Sequence, residues 1–186
     1  LSLIHVFDRA TRLFADKEVV TATPTGRERV SYAEWGERTR RLGGVLDDLG
    51  ISEDGRVATF SWNTARHLEL YFAPPCTGRV SHTLNLRLFP EQLSYIVNHA
   101  EDEVIFLDHS VAGLIWPLMG GFQTVRHVVL MDEPLGGIDP PSRRRIISSL
   151  VSEFRVGEQT ILISTHLVDE VEGIIDEVVF LRQGEV

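Results

Sequence analysis

Residues 128 to 143 read "VVLMDEPLGGIDPPSR". An apolar run, Val128 to Met131, delivers two adjacent carboxylates, Asp132 and Glu133, and "GGIDP" then makes a tight turn that carries Asp139. Paired acids at the end of a buried strand suit magnesium chemistry on a phosphoryl group. One carboxylate can hold a magnesium-bound water while its neighbour polarises an attacking water. Downstream, "ILISTH" repeats the device, an apolar strand ending in one polar group, His166. An imidazole there can contact a transferring phosphoryl group. Taken singly, each motif also reads as an ordinary solvated turn or a helix cap.

A phosphate-cradling loop of the form G-x-x-x-x-G-K-[ST] should precede such a site. Lys17 is the only lysine in the chain, and it sits in "FADKEVV" with no glycine-rich loop before it.

The elements that would position these residues follow from hydrophobic period and turn chemistry. "EVVTATPTGRERVSY" predicts two strands around a Pro/Gly turn. Ser31 opens a helix with Glu34 three residues on, and Trp35, Leu42, Val45, Leu46 and Leu49 share one face before Gly50 ends it. "GRVATFSW" is a strand, and "TARHLELYFAPPCTG" is an amphipathic helix that Pro74 and Pro75 should stop. "RVSHTLNL" is a strand, and "FPEQLSYIVNHAE" is a helix burying Leu93, Ile96, Val97 and Ala100. "DEVIFLD", "TVRHVVLMD" and "QTILIST" are further strands. "SVAGLIWPLM", "PPSRRRIISSLVSEF" and "HLVDEVEGI" are helices, and "DEVVFLRQGEV" is a last strand or hairpin arm. The alternation predicts an α/β fold: a mainly parallel sheet, helices on both faces, and a short N-terminal β-hairpin. Ligands of such sheets bind beyond the carboxyl ends of the strands.

Composition bounds the remaining choices. The chain has 186 residues, 43% hydrophobic and 24% charged, enough for one domain with a core or two small pieces. A net charge of -9 argues against a general nucleic-acid partner. Cys76 is the single cysteine, there is no bilayer-length apolar run, and "LSLIHVFDRATRLF" lacks a leader pattern, so a cytoplasmic location is expected. His67, His82, His99, His109 and His127 show no metal-ligand spacing and are expected to be core or surface groups. Arg38, Arg40 and Arg41 should form a solvated helix face. Every Ala and Trp precedes Val128, whereas Ile becomes denser after it, which suggests two sources of sequence.

Two family resemblances sharpen that suggestion. Residues 1 to about 131 resemble the N-terminal part of AMP-forming acyl-CoA synthetases of the medium- and long-chain fatty acid type. The segments that carry it are "VSYAEWGERTRRLGGVL", "GRVATFSWNTARHLELYFAPPCTGRVSHTLNLRLFPEQLSYIVNHAEDEVIFLD" and "TVRHVVLMD". That resemblance implies ATP, Mg2+ and CoA as cofactors and a fatty acid as substrate. It brings no catalytic residue, because the family's AMP-binding loop and catalytic lysine have no match here. Residues 128 to 186 resemble the C-terminal part of an ABC transporter ATP-binding subunit, a P-loop NTPase: "VVLMDEP" as Walker B, "GGIDP" as D-loop, "ILISTH" as His switch. By that resemblance Asp132 supports magnesium and Glu133 is the general base. His166 senses the γ-phosphate, and Asp139 lies at the contact with a second ATPase subunit that serves a membrane permease.

The expectation is therefore a composite joined within the shared "VVLMD", inactive alone, with no tight binding of magnesium-ATP. The alternatives are a non-catalytic α/β interaction domain and an acyl-CoA ligase fragment that needs a missing C-terminal part.

Overall fold

The computed structural model describes residues 3–23, 26–131 and 160–163. Helix α1 (Ile4–Leu13) leads into an antiparallel hairpin, β1 (Glu18–Thr23) and β2 (Gly26–Ser31). Then follow α2 (Tyr32–Asp48), β3 (Arg56–Phe60), α3 (Ala65–Cys76), β4 (Val80–Thr83), α4 (Pro90–Ala100) and β5 (Asp102–Asp108). A chain of short helical turns comes next, including α5 (Ala112–Ile115), before β6 (His127–Met131) and β7 (Thr160–Ile163). Among the described residues the main sheet has five strands in the order β4-β3-β5-β6-β7, and every pairing is parallel. The predicted fold class holds, hairpin included.

Alternation along the strands gives the sheet two buried faces. Ala58, Phe60, Ile105, Leu107, Val128 and Leu130 pack with Leu93 and Val97 of α4 and with Ile115 and Trp116. Val57, Val104 and Phe106 turn the other way, onto Leu46 of α2 and Leu70 of α3. Burial of each such side chain stabilises the fold by roughly 1.5–3 kcal/mol, so the central strands β3 and β5 anchor it. A third cluster, Phe7, Val30, Trp35 and Ala65, fastens α1 and the hairpin to α2 and α3. Trp35 meets Phe7 and Phe72 edge-on, at ring separations of 5.1 and 5.0 Å. Thr21 Oγ1 accepts from the Ala65 N–H at 2.9 Å, which ties the hairpin to the start of α3.

Helix ends follow their capping chemistry. Ser31 Oγ accepts from the Glu34 N–H at 3.1 Å, and Gly50 takes φ 65 just past α2. Gln92 Oε1 accepts from the Phe89 N–H at 3.1 Å ahead of Pro90.

Three expectations need correction. The helix α3 runs through Pro74 and Pro75 to Cys76 instead of stopping at them. A helical proline strands the carbonyl four residues back. For Pro74 that is Leu70, and the Ser81 hydroxyl of β4 donates to it at 3.4 Å. The Pro74 carbonyl then accepts from Thr77 and Arg79 and closes the helix. On α2 the buried positions are Trp35, Gly36, Thr39, Gly43 and Leu46, and Val45 is exposed. Small residues let neighbouring elements approach: a Cβ on Gly43 would sit 2.9 Å from Thr77 Cγ2. Finally, Arg40 is not simply solvated. Its guanidinium lies 4.9 Å from the Phe7 ring centroid and 3.5 Å from Asp8 of α1.

No helix among the described residues is long and apolar enough to cross a membrane.

Candidate functional site

In a parallel sheet the strand ends at the carboxyl edge converge, and that edge is the place to look for chemistry. Here β3 ends at Phe60 and is followed by Ser61 and Trp62, β5 ends in Asp108, and β6 ends at Met131. Asp108 is paired in register with Met131, so it stands level with the residue that precedes Asp132.

The described residues make a brace there. Asp108 is 2% exposed, and its Oδ1 accepts from the Ser110 N–H at 2.8 Å and the Ser110 hydroxyl at 2.6 Å. Ser110 Oγ in turn accepts from the Trp62 indole N–H at 3.0 Å. The turn after β3 is thereby bound to the turn after β5. Trp62 nevertheless presents 54% of its surface to solvent, an aromatic face on the rim.

Beneath it lies His67, in the first turn of α3 and 4% exposed. Its Nδ1 is 3.0 Å from the Trp62 carbonyl and its Nε2 is 2.9 Å from Thr59 Oγ1. One tautomer satisfies both contacts: Nδ1–H donates to the carbonyl and Nε2 accepts from the threonine hydroxyl. Burial lowers the His67 pKa, against the bond to Trp62 and the charge of Asp108, which raise it. A neutral imidazole, stacked on Tyr71 at 4.6 Å, therefore serves as a fixed wedge rather than a proton carrier.

The fit to a magnesium nucleotide is incomplete in the described part. Among the described residues no group of three or more His, Cys, Asp or Glu could hold a metal ion. The described edge offers one buried carboxylate, Asp108, with an oxygen already engaged by Ser110. Asp132, Glu133, Asp139 and His166 all lie outside the described residues. The strands expected to deliver them are neighbours: β6 and β7 pair from His127↔Thr160 to Leu130↔Ile163.

Asp108, Ser110 and Trp62 were not among the sequence candidates. Asp108 had a signal, since "VIFLD" repeats the apolar-strand-then-acid pattern of "VVLMD", whereas Ser110 and Trp62 had none. The histidines also need one correction, for sequence spacing hid a carboxylate partner. His82 Nδ1 lies 2.8 and 2.9 Å from the two oxygens of Asp102. His99 stacks on Tyr95 at 5.3 Å. "LMGGFQ" lies in a turn of 3-10 helix with Met119 and Phe122 buried, a core segment.

Known proteins resemble this chain over the part so described. The family described as AMP-binding enzyme matches residues 7–144, a stretch that includes Asp132, Glu133 and Asp139. A long-chain-fatty-acid–CoA ligase of Thermus thermophilus is 47% identical over 134 residues, 72% of this chain and 25% of the relative. A 3-methylmercaptopropionyl-CoA ligase of Ruegeria lacuscaerulensis is 40% identical over 134 residues, 70% of this chain and 24% of that protein. The chain thus spans about a quarter of the length of the curated relatives it matches. Among solved structures, the A domain of a carboxylic acid reductase from Segniliparus rugosus, in complex with AMP and a co-purified carboxylic acid, superposes with a TM-score of 0.70. That likeness covers 98% of this chain and 32% of that one at 18% identity, and it concerns the fold. The resemblance of residues 128 to 186 to an ABC subunit gains no support from these comparisons. By its family match and its 47% identity to a fatty acid–CoA ligase, the chain belongs to the AMP-binding enzyme family.

Proposed function

We propose that this chain is the N-terminal part of an acyl-CoA ligase that joins a fatty acid first to AMP, from ATP, and then to CoA. The observation that carries this is the 47% identity to the Thermus thermophilus ligase across most of the chain. The part contributes a parallel sheet whose carboxyl edge is braced by Trp62, Ser110 and Asp108. ATP, Mg2+, CoA and the rest of the ligase are the partners this reading requires. The chain spans about a quarter of the length of that ligase, so alone it is expected to be inactive. The test is complementation: the purified chain is mixed with the complementary portion of a long-chain ligase, and palmitoyl-CoA formation is followed with ATP, Mg2+ and CoA. Thioester should form only in the mixture. Failure at every ratio of the two folded parts would remove the reading, as would micromolar magnesium-ATP binding by the chain alone.

A second reading retains the ABC resemblance for residues 128 to 186; the geometry it needs is shared with the parallel sheet of the adenylation domains and does not set it apart. Strands β6 and β7 are adjacent and parallel, and their last register pair, Leu130↔Ile163, precedes Asp132 by two positions and His166 by three. On that reading Glu133 is the base, Asp132 holds magnesium, Asp139 faces a second subunit, and His166 meets the γ-phosphate. It requires magnesium-dependent ATP hydrolysis that Glu133→Gln abolishes. A chain without hydrolysis removes it.

A further inference from the structure

The His82–Asp102 pair lies away from the carboxyl edge, and neither reading above uses it. Its placement in the sheet is unusual. His82 is on β4, the outermost strand, and Asp102 opens β5, with β3 running between them. His82 is paired in register with Ala58, and Asp102 with Arg56. Positions 56 and 58 of β3 share a face. The β3–β5 register shifts between Arg56 and Val57, where β5 carries one extra residue, Glu103, so Asp102 turns to the Ala58 side although Val104 faces the other way, and the carboxylate meets the imidazole across β3. That side is the apolar one that Ala58 and Ile105 share with Leu93 and Val97 of α4.

The two partners differ in exposure. The Asp102 side chain is 0% exposed, and the His82 side chain 26%. Both carboxylate oxygens are within reach of the one Nδ1–H, at 2.8 and 2.9 Å. A fully buried carboxylate needs a partner charge, and a protonated imidazole provides one.

The other charges near the pair are few. Arg56 on β3 favours the Asp102 carboxylate. Glu103, the next residue on β5, is occupied by Ser52 and Arg126. From α3, which packs on β4, His67 is bound to Thr59 and Trp62, and Glu69 lies 3.9 Å from Arg38. The α4 residues in the cluster, Leu93 and Val97, bring no charge. His82 is thus the only side chain bonded to the Asp102 carboxylate among the described residues.

We propose that His82 and Asp102 form a proton-dependent clasp that holds the outermost strand β4 to the interior of the sheet across β3. The clasp is closed while His82 carries its second proton and loosens when that proton leaves.

The direction follows from linkage. The hydrogen bond to Asp102 raises the His82 pKa, against its partial burial, which lowers it. Burial raises the Asp102 pKa, offset in part by His82 and Arg56. Both folded values lie above the unfolded ones, so the stability they contribute is present at low pH and lost as pH rises through the folded values. For His82 that loss begins above about pH 6.5. An edge strand released in this way exposes unpaired backbone groups.

Two measurements on the full 186-residue chain test the clasp. The first is an NMR titration of the His82 ring, with wild type compared to Asp102→Asn. Its midpoint should lie above the ordinary histidine value of 6.5 in wild type and fall in the variant. The second is amide hydrogen exchange of β4 at pH 6 and pH 8.5, corrected for the intrinsic rate. Wild type should lose about tenfold protection between the two, one unit of linked proton affinity. His82→Gln, which keeps an N–H donor but cannot titrate, should show a flat profile. If Asp102→Asn does not fold, the His82→Gln profile decides. A wild-type midpoint at or below 6.5 overturns the proposal, and so does an equal loss of β4 protection in His82→Gln.

Discussion

Strand β5 begins and ends with an aspartate, and the two are kept in opposite ways. Asp102 and Asp108 are 0% and 2% exposed, so each had to replace its water with protein partners. Asp108 does so locally: Ser110, two residues on, offers an N–H and a hydroxyl as the chain turns out of the strand. Asp102 does so at long range, through a histidine from a strand that is not its neighbour. The local solution uses the backbone N–H and hydroxyl of the next turn, and it forms with the turn itself. The distant one depends on a completed sheet and on a proton. One strand therefore has an end held by its own turn at the carboxyl edge, where ligands of such sheets bind, and an end held through a distant imidazole away from it.

The largest effect expected from breaking this contrast comes from His82→Ala. It leaves the Asp102 carboxylate buried without its partner and should cost about 3 kcal/mol or more in urea unfolding at pH 6. Asp102→Ala removes the costly buried charge and leaves a quarter-exposed imidazole that can become neutral, so it should cost less, about 1–2 kcal/mol. The order of the two values is the discriminating result. If Asp102→Ala is the more harmful, the carboxylate contributes through packing and not as a charge in need of a partner. Asp108→Ala comes next. It frees two donors on Ser110 that lie near the surface and can turn to water, and should cost about 1–2 kcal/mol. The same urea titration measures it.

The difference between these two sites also explains what the sequence could and could not show. Alternating apolar runs announced β3, β5 and β6 and the helices between them, because a buried parallel sheet writes a local pattern. Asp108 was legible by the same rule that singled out Asp132, an acid after four apolar residues, and attention to the "DEP" that follows Asp132 hid it. The His82–Asp102 contact was not legible: twenty positions separate the partners, and only the strand order β4-β3-β5 brings them together. Helix α3 passed through Pro74 and Pro75 because of a serine on the next strand, again a partner that propensity cannot see. The buried side of α2 was rotated from its expected setting by Gly36 and Gly43, where neighbours come close enough to forbid a Cβ. Helix α1 left no capping motif at its start, since Leu3 makes no side-chain cap, and its buried residues Phe7 and Thr11 form too short a stripe to stand out. Of the candidate site, the strand ends were foreseen, and the acids and the histidine at 132, 133, 139 and 166 stand beyond the described residues.

The smallest effect should come from the outer member of the local brace. Trp62→Phe keeps the aromatic rim but removes the indole N–H that meets Ser110 Oγ at 3.0 Å. Because more than half of Trp62 is exposed, little burial is lost and water can replace the donor, so stability should change by about 0.5–1 kcal/mol. The consequence should be kinetic and local. With Ser110 still bonded to Asp108, β5 keeps its end, but the turn after β3 is no longer held to it. Amide exchange at Trp62 and Asn63 should therefore quicken several-fold while the amides of Val104 to Leu107 keep their protection. Uniform quickening of both sets would mean that Trp62 supports the whole sheet, and the division between a local end and a distant end of β5 would fail.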